Sequence, residues 1–335
     1  MKIGKQTWAF PSRPRVIGTG TVVGEKEGQG PIGDRFDLVA ADPYMGQSSW
    51  EKAERKFMEM AQEKAVEKAG LTMESIDMIL SGDLLPQNIS SHFAARTQGR
   101  PILNVFSACA TSMQAVLLSA QMVDTQFATY ALAAVSSHNS SAERAFRYPT
   151  EYGAQKPPTA HCTVTGAGAA VIGKGMTGPV ITYATIGKVV DLGIDDPWEM
   201  GAAMAPAAAD TIAQHFKDTG RTPLDYDVIA TGDLARVGHP IARKLLLDQG
   251  YDLGDQFTDC GILIYDEKQP EVFSGGSGPA CAACVTFGHF MLGLNEKQWN
   301  RILVVATGAL LSPVSSQQKD TIPCIAHAVA FEREN

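Results

Sequence analysis

The sequence has little positive charge and no long apolar run, and both absences exclude whole classes of protein. Its 28 lysine and arginine residues stand against 36 aspartate and glutamate residues, a net charge of −8, which argues against a nucleic-acid ligand. No apolar stretch reaches the length of about 18 residues that a membrane-spanning helix needs. The first ten residues, MKIGKQTWAF, contain neither an apolar core nor a small-residue cleavage site, so we expect no secretory signal.

Cysteine is also sparse, and its placement excludes a disulfide scaffold. The six cysteines are scattered over 335 residues, and Cys281 and Cys284 form a CxxC pair with no second pair beside it. We therefore predict neither a metal site there nor a cofactor. Hydrophobic residues make up 44% of the chain, which excludes a disordered protein. We expect a soluble protein of the cytoplasmic type that reaches a membrane only as a peripheral partner.

An internal repeat is the most informative feature that is present. The segments IDMILSGDL (76–84) and YDVIATGDL (226–234) lie 150 residues apart and are identical at five of nine positions. A helix-like stretch that ends at a glycine precedes each segment, so the same order of elements occurs twice. We infer a gene duplication and predict two halves, residues 1–192 and 193–335.

Hydrophobic periodicity predicts alternating helices and strands in both halves. The helix before the first repeat is expected to start at Ser48 with a capping box, and the helix before the second to run from Pro206 to Gly220. Two alternating stretches near the midpoint, 162–172 and 180–190, are typical of a hairpin. Strands that alternate with helices favour an α/β fold in which each half forms a mixed sheet covered by helices.

The segment NVFSACATSMQAV (104–116) is the strongest candidate for chemistry. A predicted strand ends near Val105, a turn of small residues follows, and Cys109 stands just before a predicted helix. The partial positive charge of a helix N-terminus lowers the pKa of a thiol and can hold an anion. A lone buried cysteine is also a common small hydrophobic residue, and both interpretations stay open.

A second group of polar residues follows the predicted strand 131–136. His138 and Asn139 come directly after the strand, where pocket residues gather in α/β folds. Arg144 and Arg147 follow, and their guanidinium groups would form a cationic wall for an anionic ligand in an otherwise acidic protein. The alternative is a solvated loop held by salt bridges.

Duplicated α/β halves with a cysteine at a helix start resemble the thiolase superfamily, and DMILSGDLLPQN (77–88) is similar to the loop that precedes the cysteine in thiolases. The resemblance implies a thiolase-like fold of αβαβα layers, with two pseudo-symmetric α/β halves that each contain a mixed β-sheet flanked by helices. It also implies that Cys109 accepts an acyl group with help from residues of the second half.

The chain departs from the thiolase pattern at the residues that would activate this cysteine. The ketoacyl synthase III branch carries a catalytic histidine just after the strand that is 228–231 here, but this chain has Gly232 and Asp233. The catalytic asparagine of that branch falls in GGSGPAC (275–281), which contains no asparagine. An acyl transferase needs a base for the thiol and donors for the oxyanion, so we predict that the protein is not an enzyme.

Four longer stretches are similar to one family of thiolase-fold proteins. They are GKQTWAF (4–10), SSHNSSAERAFRYPTEYG (136–153), MGAAMAPAAADTI (200–212) and VATGALLSP (305–313). They resemble the stage V sporulation protein AD family of spore-forming Firmicutes. This resemblance implies binding of dipicolinic acid (pyridine-2,6-dicarboxylate), its uptake into the developing spore, and work alongside integral membrane proteins at the spore inner membrane.

We expect dipicolinate to occupy the former acyl pocket. The helix start at Cys109 would offer N–H groups to one carboxylate, and His138, Arg144 or Arg147 would offer positive charge to the other. Ser277, which matches Cys109 in pseudo-symmetry, would donate a hydrogen bond.

The repeated Gly-Asp pairs place Asp83 and Asp233 at pseudo-equivalent strand ends, which we expect to face the mouth of this pocket. An aspartate beside a dianion is unfavourable unless it is protonated or shares a cation. Either Ca²⁺ binds there with the ligand, or the two aspartates hold turns in place.

Two other functions stay open at this point. An active thiolase or ketoacyl-synthase type of acyltransferase would use Cys109 as its nucleophile. A scaffold protein with a vestigial pocket would bind membrane proteins and no small molecule. The resemblance also implies a homodimer through a central strand, because thiolase-superfamily members pair there, and a monomer stays open as the alternative.

Overall fold

The computed structural model describes residues 1–146, 156–175 and 177–334. The strands in these residues are β1 (Lys2–Ile3), β2 (Thr7–Ala9), β3 (Arg15–Gly24), β4 (Leu38–Ala40), β5 (Met78–Gly82), β6 (Ile102–Asn104), β7 (Tyr130–Ser137), β8 (His161–Thr163), β9 (Gly166–Gly173), β10 (Val180–Ile186), β11 (Val228–Thr231), β12 (Phe257–Asp259), β13 (Gly275–Ser277), β14 (Arg301–Ala309) and β15 (Cys324–Glu332).

The helices in the same residues are α1 (Glu25–Gly28), α2 (Trp50–Lys68), α3 (Ile89–Gln98), α4 (Thr111–Asp124), α5 (Asn139–Phe146), α6 (Met200–Thr219), α7 (Ala235–Asp248), α8 (Cys260–Leu263), α9 (Pro279–Cys284), α10 (Met291–Asn295) and α11 (Pro313–Gln317). A π-helical turn, Val285–Phe290, joins α9 to α10, so these three pieces form one continuous helical segment.

The main sheet shows the predicted duplication in its strand order, which is β12-β11-β14-β15-β10-β3-β9-β7-β5-β6. In each set of five, three strands run parallel (β12, β11 and β14 in one set, β6, β5 and β7 in the other), and the next strand runs antiparallel to them. The pair Arg15–Val180 joins the two sets. The boundary between residues 192 and 193 stays a prediction. Strand β10 precedes this boundary in the chain but lies in the set that contains β12, β11, β14 and β15.

Helices α4 and α9 pack together between the two sets of strands. Helix α4 contacts β5, β7 and β9 of one set and β14 and β15 of the other. On the outer faces, α2 covers β3, β7 and β9, while α6 covers β10, β14 and β15. Three buried apolar clusters follow this layering, one around α4 and α9 and one beneath each outer layer. The α/β fold class and the thiolase-like αβαβα layers are therefore confirmed.

The helices that precede the two repeats begin at other residues than predicted. Ser49, not Ser48, is the N-cap of α2, because the Lys52 N–H donates to Ser49 Oγ (3.4 Å). Helix α6 begins at Met200, and Pro206 lies inside it. The end of α6 is as predicted, since Gly220 follows in the left-handed conformation at φ 70°.

The predicted hairpin near the midpoint is wrong. Strands β9 and β10 belong to one sheet, but β3 lies between them and pairs with β9 over most of its length, while β10 pairs with β15. Alternation of apolar and polar residues predicts a strand and its buried face, but it does not predict the neighbouring strand.

Candidate functional site

Cys109 lies in a tight turn between β6 and α4. Ala108 has φ 49°, a left-handed conformation that is strained for a residue with a side chain. Thr111 holds the turn, because the Ser107 N–H donates to Thr111 Oγ1 (2.9 Å) and this hydroxyl donates to the Ala108 carbonyl (2.6 Å). The turn places the Cys109 side chain at a cavity while only 8% of the residue is exposed.

Two glycines allow strands from both halves to approach this turn. A Cβ atom on Gly82, at the end of β5, would lie 2.3 Å from the Val105 carbonyl oxygen. One on Gly308, in β14, would lie 2.3 Å from the Ser107 carbonyl oxygen. No side chain fits at either position, so glycine is what lets β5 and β14, one from each set of strands, approach the turn at Cys109.

Ser277 and Asp233 continue from Cys109 in a chain of polar contacts. Cys109 Sγ lies 3.7 Å from Ser277 Oγ, and that hydroxyl donates to Asp233 Oδ2 (2.8 Å). The Gly278 N–H also donates to Oδ2 (3.2 Å), and the Thr307 hydroxyl donates to Oδ1 (2.6 Å). The structure thus brings three predicted site residues together. Asp233 lies behind Ser277 and not at the pocket mouth, contrary to expectation.

The surroundings of Cys109 favour the neutral thiol. Burial and, next, the negative charge of Asp233 raise the pKa of Cys109 well above its usual value. Of the two interpretations left open for Cys109, the thiol with a lowered pKa is wrong, because burial and the charge of Asp233 raise this pKa. Burial also raises the pKa of Asp233, so this carboxyl takes up a proton more readily than an exposed aspartate does.

His327 lies on the other side of the same turn and was missed in the sequence. The Gly187 N–H donates to its Nδ1 (3.2 Å), so the proton of the neutral ring is on Nε2, which lies 3.5 Å from Ser107 Oγ. Burial lowers the pKa of His327 to about 4, which keeps the ring uncharged. A histidine within the apolar strand IAHAVAF (325–331) was the signal that could have found it.

The cavity at Cys109 is mainly apolar. Its described lining consists of Leu84, Phe106, Ala108, Cys109, Ala142, Glu143, Phe146, Thr163, Met200, Ser277, Ala309 and Leu311. Glu143 is the charged residue in this set, and its Oε1 lies 3.2 Å from Nζ of Lys156. Neither residue was singled out in the sequence. The spacing of Ala142, Glu143 and Phe146 on α5 could have indicated a shared face.

His138 and Asn139 line a different cavity. The His138 ring donates from Nε2 to the Pro43 carbonyl (2.9 Å) and accepts the Ser140 N–H at Nδ1 (3.2 Å). Burial lowers the pKa of His138, so the ring is neutral and both its nitrogens are engaged. Asn139 donates to the carbonyl of Thr163 (3.2 Å), the residue that separates this cavity from the one at Cys109. Neither side chain contributes charge beside Cys109.

Arg144 is held at the surface. Its guanidinium pairs with Glu51 and lies 5.3 Å from the ring centre of Trp50, and 45% of its side chain is exposed. It does not line the cavity at Cys109, and the salt-bridge interpretation describes it better than the cationic wall. Arg147 lies outside the described residues.

Asp83 is buried and holds a loop. The Leu85 N–H donates to its Oδ1 (2.9 Å), and both the N–H (2.8 Å) and the hydroxyl (2.7 Å) of Ser91 donate to its Oδ2. The expectation that Asp83 faces the pocket mouth is therefore wrong, because Asp83 is not among the described residues that line the cavity, whereas the neighbouring Leu84 is. Among the described side chains, no group of three or more His, Cys, Asp or Glu residues is placed to hold a metal ion.

Comparisons with known proteins agree with this architecture. A family model described as stage V sporulation protein AD matches residues 4–332. The protein of that name from Bacillus subtilis (strain 168) is 55% identical over 330 residues, which cover 98% of this chain and 97% of that protein. The predicted family is thereby confirmed. Within the described residues, no helix is long and apolar enough to cross a membrane.

Two solved structures have a fold similar to that of this chain. Cerulenin-bound OleA of Xanthomonas campestris has a TM-score of 0.64 at 13% identity, covering 96% of this chain and 99% of that one. The 3-oxoacyl-[acyl-carrier-protein] synthase III of Aquifex aeolicus VF5 has a TM-score of 0.57 at 13% identity, covering 95% and 99%. At this level of identity the likeness concerns the fold alone.

Proposed function

This chain belongs to the stage V sporulation protein AD family, and we propose that it binds dipicolinic acid in the cavity at Cys109 without chemical turnover. Binding would support uptake of dipicolinic acid into the developing spore. The observation that carries this proposal is the set of partners around Cys109: the thiol faces a serine hydroxyl and a buried aspartate, Ser277 and Asp233.

The absence of turnover follows from what a nucleophilic cysteine requires. A thiol attacks as the thiolate, which a neighbouring base or positive charge must generate. Here burial and the negative charge of a carboxyl, that of Asp233, raise the pKa of Cys109. The ring of His327 reaches Ser107 and not the sulfur. These contacts support a cavity that binds rather than reacts.

The lining also suits a flat aromatic dicarboxylate. Phe106, Phe146, Met200 and Leu311 offer apolar surface to a pyridine ring, while Ser277 and Cys109 form a polar floor. The first turn of the 14-residue helix α4 adds partial positive charge at this floor.

The test of this proposal is a calorimetric titration of the full chain with dipicolinate. Isophthalate is the control ligand, because it keeps both carboxylates and lacks the ring nitrogen. We expect micromolar binding of dipicolinate, about −8 kcal/mol, and none of isophthalate. Cys109→Trp should fill the cavity and abolish binding while unfolding stays cooperative, and the isosteric Cys109→Ser should retain binding. Full affinity in Cys109→Trp would place the site elsewhere.

A second candidate function is acyl transfer from Cys109. It is favoured by the strained, hydrogen-bonded turn that carries the thiol. Incubation with acyl-CoA thioesters followed by intact-mass measurement separates the two functions. An acyl-enzyme would add the mass of the acyl group to wild type and not to Cys109→Ser, whereas the binding function predicts no added mass.

The partners of this binding function would be integral membrane proteins of the same uptake system and a second copy of the chain. Strand β6 is the outermost strand of its set, and Leu103 and Phe106 on and beside it are 49% and 48% exposed. An apolar sheet edge of this kind can pair with itself across a twofold axis. Light scattering should give a dimer, and Leu103→Glu should give a monomer; a wild-type monomer would contradict this assignment.

A further inference from the structure

We propose that the Glu143–Lys156 ion pair selects for dianionic ligands. In this proposal Lys156 binds a carboxylate of the ligand, and that carboxylate displaces Glu143 from Lys156. The inference rests on the proposed binding function and names the residues that set its specificity.

The charge of the cavity raises the problem that this pair would solve. Its described lining is apolar or uncharged except for Glu143, and a carboxylate there repels an incoming dianion. Behind Ser277 lies the buried Asp233, a carboxyl, so the described residues on this side of the cavity offer no cation for the ligand either. A dianion therefore needs a cation that is already close to the cavity.

Lys156 is placed to supply that cation. Its Nζ lies 3.2 Å from Glu143 Oε1 and 6.0 Å from the ring centre of Phe273. The two side chains of the pair are only 21% and 12% exposed, whereas those of the Arg144–Glu51 pair are 45% and 25% exposed. Shielding from water makes the choice between Glu143 and a ligand carboxylate energetically significant.

The other described cations near these cavities are engaged elsewhere. Lys26 lines the second cavity and donates to the Pro270 carbonyl (2.9 Å). Arg236 donates to the Ser274 carbonyl (3.2 Å). An ammonium group has three donors in a compact head on a flexible stem, so Lys156 would exchange Glu143 for a ligand oxygen by rotation of its side chain. A ligand with one carboxylate gains less binding free energy from this exchange than a ligand with two carboxylates does.

The experiment compares dipicolinate with picolinate, which has one carboxylate, by calorimetry on the full chain. Lys156→Met should weaken dipicolinate binding about tenfold, and Lys156→Arg should retain most of it. Glu143→Gln should tighten dipicolinate binding about fivefold and change picolinate binding less. Glu51→Gln breaks an ion pair of α2 and α5 away from the cavity lining and should leave both affinities unchanged.

Two outcomes would overturn the inference. One is wild-type dipicolinate affinity in both Lys156→Met and Glu143→Gln, each with cooperative thermal unfolding. The other is weaker binding in Glu143→Gln, which would make Glu143 a ligand-holding residue. If Lys156→Met does not fold, the dipicolinate affinities of Glu143→Gln and Lys156→Arg test the inference instead. Failure of wild type to bind dipicolinate would instead overturn the proposed function, and this inference with it.

Discussion

Asp83 and Asp233 occupy matched positions 150 residues apart, and each comes directly after a glycine at the end of a strand. The two carboxylates nevertheless accept hydrogen bonds mainly from different kinds of donor. Asp83 accepts mainly from backbone N–H groups of its own loop, those of Leu85 and Ser91, and also from the Ser91 hydroxyl. Asp233 accepts mainly from hydroxyl groups of distant segments, those of Ser277 and Thr307.

In the second half another residue holds the loop. Asp259, at the end of β12, accepts from the N–H groups of Leu234 (2.8 Å) and Ala235 (3.0 Å). Asp233 is therefore not needed for the turn that follows its strand, and it contacts the floor of the cavity at Cys109 instead. The two halves share the strand end, while the residues that follow it decide what the aspartate does.

The largest effect that would sharpen this comparison is on stability. Asp83→Asn places an amide N–H₂ against a backbone N–H group, and a backbone N–H can donate a hydrogen bond but cannot accept one. We therefore expect a loss of about 3 kcal/mol of unfolding free energy. Asp233→Asn faces mostly hydroxyls that can turn and accept, so its loss should be about 1 kcal/mol. Urea denaturation measures both. Equal losses would mean that Asp233 also holds its loop.

Much of this comparison was predictable from the sequence, because it depends on local pattern. The repeated segments predicted two equivalent strand ends, and the small residues before α4 predicted the turn at Cys109. Ser277 was assigned to the site from pseudo-symmetry, and it does contact Cys109. Such features are written in consecutive residues and their spacing.

The parts that could not be predicted depend on contacts between distant segments. Whether Asp83 or Asp259 holds a loop depends on which backbone N–H groups fold over it. The Glu143–Lys156 pair joins α5 to Lys156, which lies in a separate part of the sequence, and nothing in the spacing of the two residues marks the pair. The same limit explains the wrong hairpin, since β3, from the N-terminal region, inserts between β9 and β10.

A smaller effect separates the two aspartates through the thiol. Because the negative charge of Asp233 contributes to the raised pKa of Cys109, Asp233→Asn should lower that pKa and speed alkylation of Cys109 by iodoacetamide about tenfold at pH 8. Asp83→Asn should leave the rate unchanged. Peptide mass spectrometry identifies the modified cysteine. The same rate in both variants would show that burial alone sets this pKa.

The smallest effect concerns a second buried carboxyl in each half. Glu54 of α2 accepts from the hydroxyls of Ser136 (3.0 Å) and Ser141 (2.7 Å), and burial, with the charge of Asp83, raises its pKa to about 8. In the other half, burial and the charge of Asp233 raise the pKa of Asp259 to about 7. Each Gly-Asp aspartate therefore has a protonatable neighbour.

The sign of the resulting pH dependence follows from where the proton binds more tightly. An unfolded glutamate has a pKa of about 4.3, so above that pH the folded state holds more protons than the unfolded state, and stability falls as pH rises. Between pH 6 and 7 we expect Glu54→Gln to remove about 1 kcal/mol of this fall, because glutamine keeps the neutral form. Glu63→Gln, exposed on the same helix, should not change it. Urea denaturation across this range measures the slope. An unchanged slope in Glu54→Gln would assign the whole dependence to the second half, where the fall should level off above the pKa of Asp259, about 7.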